Sequence, residues 1–377
     1  MMIVHFSTVH YRDDSRIRSK MMRSLSARYH GQVKLFVQDG KGGEVDPECG
    51  YLVVDTGPRL PRLNRMLIGG WRMFRAVANE RPTIAHFHDP ELIPWAILLR
   101  LYGIRVVYDV HEDYPESVYE YHSLPLIVRS VLPAVIRLIE FAGSLCFSGV
   151  VTVTSKIQSR FPRKKTVLVR NFPILEEFHV PSSFPMRLRP REVAYIGTIT
   201  QNRNIIGMLD AVGSIDDIEV TLRLAGDFPV SADENAARSH SEWTQVKFDG
   251  WVSRGGIASI LASVRAGLVV IKPLEHEALS LPIKLFEYMA AGVPLIASDF
   301  PLWRGVIEEA ECGLLVDPLQ PSEIASAIRW VINHPDEAQA MGLRGRQAAL
   351  SKYSWDSEVE VLFNLYESIT PKLKNGV

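Results

Sequence analysis

Short apolar runs alternate with segments of helical period along nearly the whole chain, and this alternation limits the possible folds more than any other feature. The pattern occurs in two sections, separated by residues 176–190, which lose the periodicity and are rich in proline. Alternating strands and helices are typical of βαβ units around a parallel sheet. The sequence therefore predicts two doubly wound α/β domains, at 1–175 and 191–354, followed by a final amphipathic helix that begins at Trp355.

Length and composition agree with a globular protein of a reducing compartment. The 377 residues suffice for two cores, 47% are hydrophobic and 23% charged, and the net charge of −1 does not suggest nucleic-acid binding. Cys49, Cys146 and Cys312 are odd in number and widely separated, which fits neither a disulfide framework nor a metal site. Because residues 1–10 lack the features of a secretory signal, we expect a cytoplasmic protein.

The segment 279–298 has the most informative pattern. A predicted strand leads through a loop to Pro282, and a helix is expected to begin directly after it. The free N–H groups and the positive dipole at such a start suit a phosphate, and Lys284 adds a cation there. Glu287 lies on the same helix face, where its carboxylate can accept the hydroxyls of a ribose. The spacing alone fits an ordinary surface Lys–Glu pair as well.

A second element is the predicted strand that ends at Gly197, followed by a polar loop with Arg203 at the start of the next helix. An arginine in this position can bind a pyrophosphate. The order strand, glycine, loop and helix is common in α/β proteins, so this element by itself is weakly specific.

Two clusters of histidine and acidic residues follow successive strands of the first section. His88, Asp89 and Glu91 form the first cluster, and Asp109 and His111 belong to the second. Such residues bind zinc, transfer protons or serve as structural hydrogen-bond partners. Since their spacing does not fit a helical His-Glu-x-x-His site, we expect no metal. Charged groups at two neighbouring strand ends instead predict the lining of a ligand site.

The loop after the first strand leads into a helix that Asp14 or Ser15 is expected to cap. It lacks the Gly-x-Gly-x-x-Gly fingerprint, which argues against a dinucleotide cofactor. A polar loop that contains Arg16 suits a phosphate-bearing acceptor, and it equally fits a capped surface helix.

These motifs together resemble the retaining family-4 glycosyltransferases, which have the GT-B fold. Segment 279–298 is similar to their donor-binding signature, Pro-x-Lys-x-x-Glu-Tyr-Met-Ala-x-Gly-x-Pro, and the two histidine-containing clusters resemble a bacterial surface-polysaccharide subgroup. The resemblance implies two Rossmann-like domains facing a cleft, with the C-terminal helix, 355–377, crossing back to the N-terminal, acceptor-side domain. It also implies retaining transfer of a sugar from a UDP- or GDP-sugar to a glycan acceptor, without a metal or another cofactor.

The resemblance also gives roles to individual residues. The catalytic residues, which touch the reacting region or stabilise the leaving diphosphate, are His111, Lys284 and Arg203. The donor-binding residues are Gly197, Thr198, Arg203, Ser280, Leu281, Lys284 and Glu287. The acceptor-side residues are Asp14, Arg16, His88, Asp89 and Glu91.

Two positions depart from the family pattern and keep other functions open. Leu279 stands where the broader family has a second glutamate, and Thr198 stands where an arginine is usual. These departures favour a non-catalytic nucleotide-sugar-binding scaffold as one alternative. A sugar-nucleotide epimerase of the same two-domain architecture is the other.

Residues 59–75 combine five arginines with a tryptophan and several aliphatic side chains. The first 185 residues carry 24 basic against 18 acidic side chains, whereas the remainder carries 18 against 25. This distribution fits peripheral contact with an anionic membrane and a lipid-linked acceptor. A core-packed helix with a solvated face fits the segment equally. The five arginines are Arg59, Arg62, Arg65, Arg72 and Arg75.

Overall fold

The computed structural model of the protein describes residues 1–118, 125–178, 185–274, 278 and 280–370. Contacts within the chain divide it into two units. The first comprises Met1–Asn171 together with the segment that begins at Asp356, and the second is Phe172–Trp355. Each unit is built on one largely parallel sheet with helices between its strands, so the predicted α/β class is confirmed.

The first unit contains an eight-stranded sheet in the order β3-β4-β2-β1-β5-β6-β7-β8. β3 is antiparallel to β4, and the other described pairings are parallel. His5 of β1 is in register with His86 of β5, near the middle of the sheet. The strands are β1 (Ile3–Phe6), β2 (Val33–Val37), β3 (Glu44–Val45), β4 (Leu52–Asp55), β5 (Ile84–Phe87), β6 (Arg105–Val110), β7 (Gly149–Thr152) and β8 (Thr166–Leu168).

Helices cover both faces of this sheet. Connections between parallel strands are right-handed, so the steps from β4 to β7 place α2, α3 and α4 on one face, opposite α1. The final helix, Trp355–Ile369, packs on the α1 side, and its return to the first unit confirms the expected crossing. The longer helical segments are a π-helical segment (Ser15–Met22) continuing into α1 (Arg23–Arg28), the turns Arg62–Asn64 and Arg65–Gly69 continuing into α2 (Gly70–Glu80), α3 (Ile93–Leu101) and α4 (Leu126–Cys146). Single helical turns lie at Tyr114–Ser117 and Ser155–Gln158.

The second unit contains a six-stranded parallel sheet in the order β11-β10-β9-β12-β13-β14. Its inner strands are largely apolar and buried, as expected for strands covered on both faces. The strands are β9 (Glu192–Ile196), β10 (Thr221–Ala225), β11 (Val246–Gly250), β12 (Ala266–Val269), β13 (Leu295–Ser298) and β14 (Gly313–Val316). The helices are α5 (Ile205–Gly213), α6 (Ser231–Arg238), α7 (Arg254–Ser263), α8 (Ile283–Ala290), α9 (Pro301–Ala310), α10 (Pro321–Asn333) and α11 (Pro335–Lys352).

Tyr288 fixes α8 against the sheet. The backbone N–H of Ile196 donates a hydrogen bond to the Tyr288 hydroxyl at 3.0 Å. The ring fills the space beside Gly267, where a Cβ would lie only 2.2 Å from a ring carbon. As a result, α8 is held against the end of β9, next to the loop that follows this strand.

Among the described residues, no helix has both the length and the hydropathy that crossing a bilayer would require.

Candidate functional site

Lys284 and Gly197 form the centre of the site in the second unit. Gly197 follows β9 with a φ of 124°, and a Cβ at this position would lie 3.1 Å from Lys284 Nζ. The same ammonium group lies 3.8 Å from the centroid of the Tyr195 ring. A Cβ on Gly226, after β10, would lie 2.0 Å from the Gly197 carbonyl oxygen, so the two loops touch through their backbones. A cation therefore lies at the start of α8, beside a glycine whose missing side chain lets the ammonium approach the backbone.

Glu287 is held in place by an arginine that sequence reasoning missed. Arg254 Nη1 donates to Glu287 Oε1 at 2.6 Å, and its Nε and Nη2 donate to Glu177 Oε2 at 2.9 and 2.6 Å. Burial opposes the positive charge of Arg254, but Glu287 and Glu177 outweigh it and raise the pKa of the guanidinium. Glu287 has a side chain that is 7% exposed. It is therefore an oriented carboxylate, not half of a solvent-exposed Lys–Glu pair.

The loop after β9 carries the other predicted phosphate ligands. The Tyr195 hydroxyl donates to the carbonyl oxygen of Thr198 at 2.7 Å, which fixes the start of this loop. Arg203 is partly exposed, and its backbone N–H donates to Thr200 Oγ1 at 3.2 Å. Because β9 and β12 are neighbours, this loop and the one before α8 follow the same edge of the sheet.

The loop before α8 is anchored by α9. Trp303 Nε1 donates to the carbonyl oxygen of Ser280 at 2.6 Å, and Leu281 packs against the core of the unit. Leu279, the position that departs from the family pattern, lies outside the described residues. The nearby acidic residues Glu275 and Glu277 do as well.

In the first unit, buried histidines form a hydrogen-bonded chain that ends on Asp109. His88 Nδ1 lies 3.1 Å from Asp109 Oδ2, His88 Nε2 lies 3.1 Å from His5 Nδ1, and His5 Nε2 lies 2.9 Å from the Tyr366 hydroxyl. His86 Nδ1 also bonds this hydroxyl. A carboxylate can only accept, so His88 Nδ1 donates to Asp109 and His88 Nε2 accepts from His5 Nδ1. His5 Nε2 then accepts from the Tyr366 hydroxyl, whose oxygen accepts from His86 Nδ1.

Burial determines the charge state of these histidines. It lowers the pKa of His5 and His86 well below the usual value, and it lowers the pKa of His88 despite the hydrogen bond to Asp109. The three rings are therefore neutral near pH 7, which agrees with one shared proton per hydrogen bond. His86 Nε2 has no hydrogen-bond partner among the residues that the structure describes.

Asp109 is also bound by Arg16. Arg16 Nε and Nη2 donate to the two carboxylate oxygens of Asp109, both at 2.9 Å, and Nη2 donates to the Val169 carbonyl at 3.1 Å. Burial alone would raise the pKa of Asp109, but Arg16 and the bonds from His111 and His88 keep it well below the ordinary value. Arg16 therefore supports the site from within the unit, since its side chain is 4% exposed.

His111 is paired with a second histidine, His10. The two Nε2 atoms are 3.0 Å apart, His10 Nδ1 lies 3.2 Å from Asp14 Oδ2, and His111 Nδ1 lies 3.3 Å from Asp109 Oδ2. With both Nδ1 atoms facing carboxylates, a bond between the Nε2 atoms needs one additional proton on the pair. Burial opposes the charge, but Asp14 and Asp89 outweigh it and raise the pKa of His10 to about 9. His10 therefore carries a positive charge near pH 7 and faces His111.

Asp14, Asp89 and Glu91 have structural partners. Asp14 accepts from two backbone N–H groups at the start of the π-helical segment, which confirms it as the helix cap. Asp89 is fully buried and accepts from the Thr8 backbone N–H at 2.6 Å and from the Ser7 hydroxyl. Glu91 binds Arg65 through both oxygens and accepts from the Thr8 hydroxyl. Contact of Asp89, or of the equally buried His88, with an acceptor would require a rearrangement.

His10 should make the stability of the protein depend on pH between 6.5 and about 9. Because folding raises its pKa, its contribution is complete below 6.5 and is lost as the pH rises through about 9. We expect the unfolding free energy of the wild type to fall by about 2–3 kcal/mol over this range because of His10. His10→Gln protein should not show this loss. Urea unfolding at a series of pH values measures this difference.

His30→Gln, a change of the same chemistry at an exposed histidine, serves as the control and should leave the pH dependence as in the wild type. Equal pH dependence in the wild type and in His10→Gln protein would contradict a charged His10.

Two groups of side chains in the described part of the chain have ligand atoms within 4.8 Å of one another, as a metal site requires. They are His10 with His111 and Glu112, and His86 with His88 and Asp109. In the second group, the guanidinium of Arg16 lies on the carboxylate, and both nitrogens of His88 face other protein groups. In the first group, the shared proton lies where a metal would bind. His10, His88 and Asp109 of these groups thus make protein hydrogen bonds, whereas His86 Nε2 makes none with the described residues.

Comparison with known proteins extends over most of the chain. The model of the family described as "Glycosyl transferase 4-like domain" matches residues 16–171, and that of "Glycosyl transferases group 1" matches residues 181–348. Among curated relatives, the alpha-D-kanosaminyltransferase of Streptomyces kanamyceticus is 24% identical over 180 residues, 47% of this chain and 45% of the relative. The D-rhamnosyltransferase WbpZ of Pseudomonas aeruginosa is 29% identical over 157 residues, 41% of this chain and 40% of the relative.

The chain thus spans about half the length of these curated relatives, or less. Solved structures are similar over nearly the full length. The sucrose-phosphate synthase of Thermosynechococcus elongatus has a TM-score of 0.76 at 17% identity, with 98% of this chain and 99% of that chain covered. Anabaena HepE, solved in complex with UDP, has a TM-score of 0.74 at 13% identity, with 98% and 100% covered. With both of its units matched, the chain belongs to the family-4 glycosyltransferases of the GT-B fold.

Proposed function

We propose that the protein transfers a sugar, with retention of anomeric configuration and without a metal ion, from a UDP- or GDP-sugar to a glycan acceptor. The arrangement at the start of α8 carries this proposal: the Lys284 ammonium lies beside Gly197, and an oriented carboxylate, Glu287, lies one turn further along the helix. A cation and helix N–H groups stabilise the charge that develops on a leaving diphosphate. The likeness to HepE, which was solved with UDP, supports a nucleotide diphosphate as the ligand.

Glu287 is assigned to the ribose of the donor. Arg254 occupies Oε1 of its carboxylate and thereby fixes the direction of the second oxygen. A carboxylate with a fixed orientation can accept from ribose hydroxyls with little loss of side-chain entropy. Arg203, Thr198, Ser280 and Leu281 are assigned to the diphosphate, through the guanidinium and through loop N–H groups.

His111 is assigned to the reacting region, where it touches the donor sugar. Its pairing with protonated His10 gives it a positive neighbour 3.0 Å away. A buried positive charge there favours an anionic group in the transition state, such as the departing phosphate. We therefore assign an electrostatic and positioning role to the pair, supported by Asp109 and Asp14.

The acceptor is proposed to be lipid-linked, and the protein to act in the cytoplasm at the inner face of an anionic membrane in polysaccharide biosynthesis. Support comes from the turns before α2 and from its first residues, where Leu63 is 75% exposed, Leu67 67% and Trp71 45%. Exposed arginines, Arg62 and Arg72, accompany these side chains. Apolar side chains interspersed with cations suit the boundary between headgroups and acyl chains.

The test is product formation by mass spectrometry from a panel of UDP-, GDP- and ADP-sugars with lipid-diphosphate acceptors, in the presence of EDTA. We expect transfer from a single class of donor, undiminished by the chelator, and an α-linked product from an α-linked donor. Glu287→Gln protein is run beside the wild type. This variant keeps the shape of the side chain but removes its charge, and it should bind the donor more weakly.

Each other outcome identifies a different function. Loss of activity in EDTA with recovery on adding Mg²⁺ would contradict metal independence. Donor consumption without an acceptor would indicate an epimerase. Nucleotide binding without turnover on any acceptor would indicate a scaffold that binds the nucleotide-sugar.

The space beside Gly197 is predicted to be required for donor binding. A Cβ there would lie 3.1 Å from Lys284 Nζ at a φ of 124°, a backbone conformation that L side chains rarely adopt. We expect Gly197→Ala to displace Lys284 and to weaken the binding of the nucleoside diphosphate about tenfold, equivalent to about 1.4 kcal/mol. Isothermal titration calorimetry measures the change.

Gly255→Ala is the matched control in the same unit. A Cβ at this position in α7 meets no atom within 4 Å. It should leave the affinity unchanged and should stabilise the helix by about 0.5–1 kcal/mol. Equal affinity in the two variants would contradict a donor site at Gly197.

A further inference from the structure

Helix α4 has an unusual distribution of side chains: it buries small and polar residues and exposes apolar ones. The residues buried from α4 are Pro133, Glu140, Gly143 and Ser144. Nine large apolar side chains of α4 are at least 40% exposed, and together they form what we call the apolar face: Leu126, Ile127, Val128, Val131, Val135, Leu138, Ile139, Phe141 and Leu145.

Specific contacts hold α4 with this face outward. The Tyr108 hydroxyl donates to Glu140 Oε1 at 2.9 Å, and Arg160 Nη2 lies 3.5 Å from Glu140 Oε2. At Gly143, α4 comes so close to α3 that a Cβ would lie 2.8 Å from Ile93 Cγ2. Turning the apolar face inward would break these bonds and would bring larger side chains into this contact. Exposure of the apolar face is therefore a property of the fold.

The neighbouring helices enlarge the apolar surface. α2, α3 and α4 lie side by side on one face of the sheet. Leu101 and Tyr102, at the end of α3, are 77% and 71% exposed, and Leu67 and Trp71 are exposed at the start of α2. Large exposed apolar areas on a protein surface mark interaction sites.

The charges around the apolar face indicate what covers it. Glu140 is the sole acidic residue of α4, and it is buried. Arg129 and Arg137 lie on the helix, and Arg137 is paired with Glu116 at the edge of the face. At the far end, Arg100 Nε and Lys165 Nζ donate to the last carbonyls of α4, at 3.2 and 2.8 Å.

This charge pattern favours a lipid surface over a second copy of the chain. Two copies of the apolar face would bring two sets of basic side chains together. Anionic lipid headgroups attract such side chains, and acyl chains accept the aliphatic ones. Long arginine and lysine side chains can extend from the apolar boundary to the headgroups.

We propose that α4 is the membrane anchor of the protein, lying parallel to an anionic bilayer with its apolar face among the upper acyl chains. This proposal rests on the proposed function, because a lipid-linked acceptor is the reason for the enzyme to bind a membrane. It assigns the membrane contact mainly to α4 instead of to residues 59–75. Binding itself requires no sugar transfer, so the two can be tested separately.

The test is co-sedimentation of the full chain with vesicles of phosphatidylcholine alone and of phosphatidylcholine mixed with phosphatidylglycerol. We expect binding to the mixed vesicles, and at least about tenfold weaker binding of the double variant Ile127→Glu, Leu138→Glu. These side chains are 79% and 67% exposed, so the changes should not affect folding, which circular dichroism checks. The matched control is Leu343→Glu with Leu350→Glu, on α11 of the second unit at 51% and 50% exposure, which should bind as the wild type does.

Three outcomes would overturn the proposal. The first is equal binding of the α4 variant and the wild type, the second is equal binding to both kinds of vesicle, and the third is no binding to either. Sedimentation velocity without lipid is run in parallel, and a dimer that the α4 variant dissociates would identify a second copy as the occupant. A protein that binds vesicles but transfers no sugar would leave the anchor standing and remove the proposed function. Sugar transfer without vesicle binding would remove the anchor and leave the proposed function standing.

Discussion

Replacing Lys284 by methionine is expected to lower kcat/KM for sugar transfer by about 10²–10³, equivalent to about 3–4 kcal/mol of transition-state stabilisation. The methionine fills the same space over the Tyr195 ring but lacks the charge that we assign to the leaving diphosphate. Negative charge on the leaving group increases toward the transition state, so kcat should fall more than KM rises. Steady-state kinetics with the donor identified by the product assay separate the two effects.

Lys247→Met is the matched control for this change. Lys247 lies on β11 of the same unit, is half-exposed, and has its ammonium 3.4 Å from Glu192. It should retain kcat/KM within about twofold, because an exposed ion pair contributes little. Lys284→Arg should recover only part of the activity, since the guanidinium is wider and Gly197 leaves limited space. Activity of Lys284→Met protein close to that of the wild type would remove the lysine from the mechanism.

The sequence was sufficient to predict the second unit's sheet and most of the first. The alternating pattern of the second section corresponds to six strands, β9 to β14. Their apolar residues can be recognised without knowing their neighbours. β3 and β4 have two and four residues, and β3 and the start of β4 are exposed, so their signal in the sequence is weak. Helix α6 has a polar sequence and an equally weak signal.

The proposed donor side can be predicted from the sequence where its residues are close together in the chain. Pro282, Lys284 and Glu287 lie on one helix, so spacing fixes their relation, and the family resemblance adds their chemistry. Arg254 and Glu177 could not be found in this way. They are 33 and 110 residues from Glu287, and an arginine with two acidic partners has no local sequence signature.

The histidine network was only partly visible in the sequence. The sequence predicts His88 and His111 at a ligand site because they follow adjacent strands, but it does not predict their contacts with His5 and His10. His5 and Tyr366 lie 361 residues apart, and they meet because the final helix returns to the first unit. His10 lies in the polar loop after β1, and the acidic residues next to it were the available signal. Pairing between distant residues depends on topology, which spacing does not reveal.

Replacing Arg16 by methionine is expected to lower the free energy of unfolding by about 3–5 kcal/mol. Arg16 binds both oxygens of Asp109 at 2.9 Å, in an environment where Asp109 is fully buried and Arg16 is 4% exposed. The variant leaves a buried carboxylate with histidine partners alone, and water cannot solvate it there. Its pKa should rise, because Arg16 is the strongest of the influences that oppose burial. Urea unfolding at pH 7 measures the loss of stability.

The acid limb of the stability curve gives an independent check on the same pair. A carboxyl group whose pKa is lowered by folding contributes stability above its unfolded pKa of about 3.9, and this is lost only as the pH falls through the folded value. Arg16→Met should therefore move the midpoint of acid unfolding to higher pH, and Arg16→Lys, which keeps the charge but not both bonds, should lie between. Arg28→Met removes an arginine from an exposed pair with Glu367 and should cost about 1 kcal/mol or less. Arg16→Met and Arg28→Met proteins that are equally stable and unfold in acid at the same pH would contradict this prediction. The buried pair would then not be what holds β6 to the start of the π-helical segment, and another contact would have to support the histidine chain.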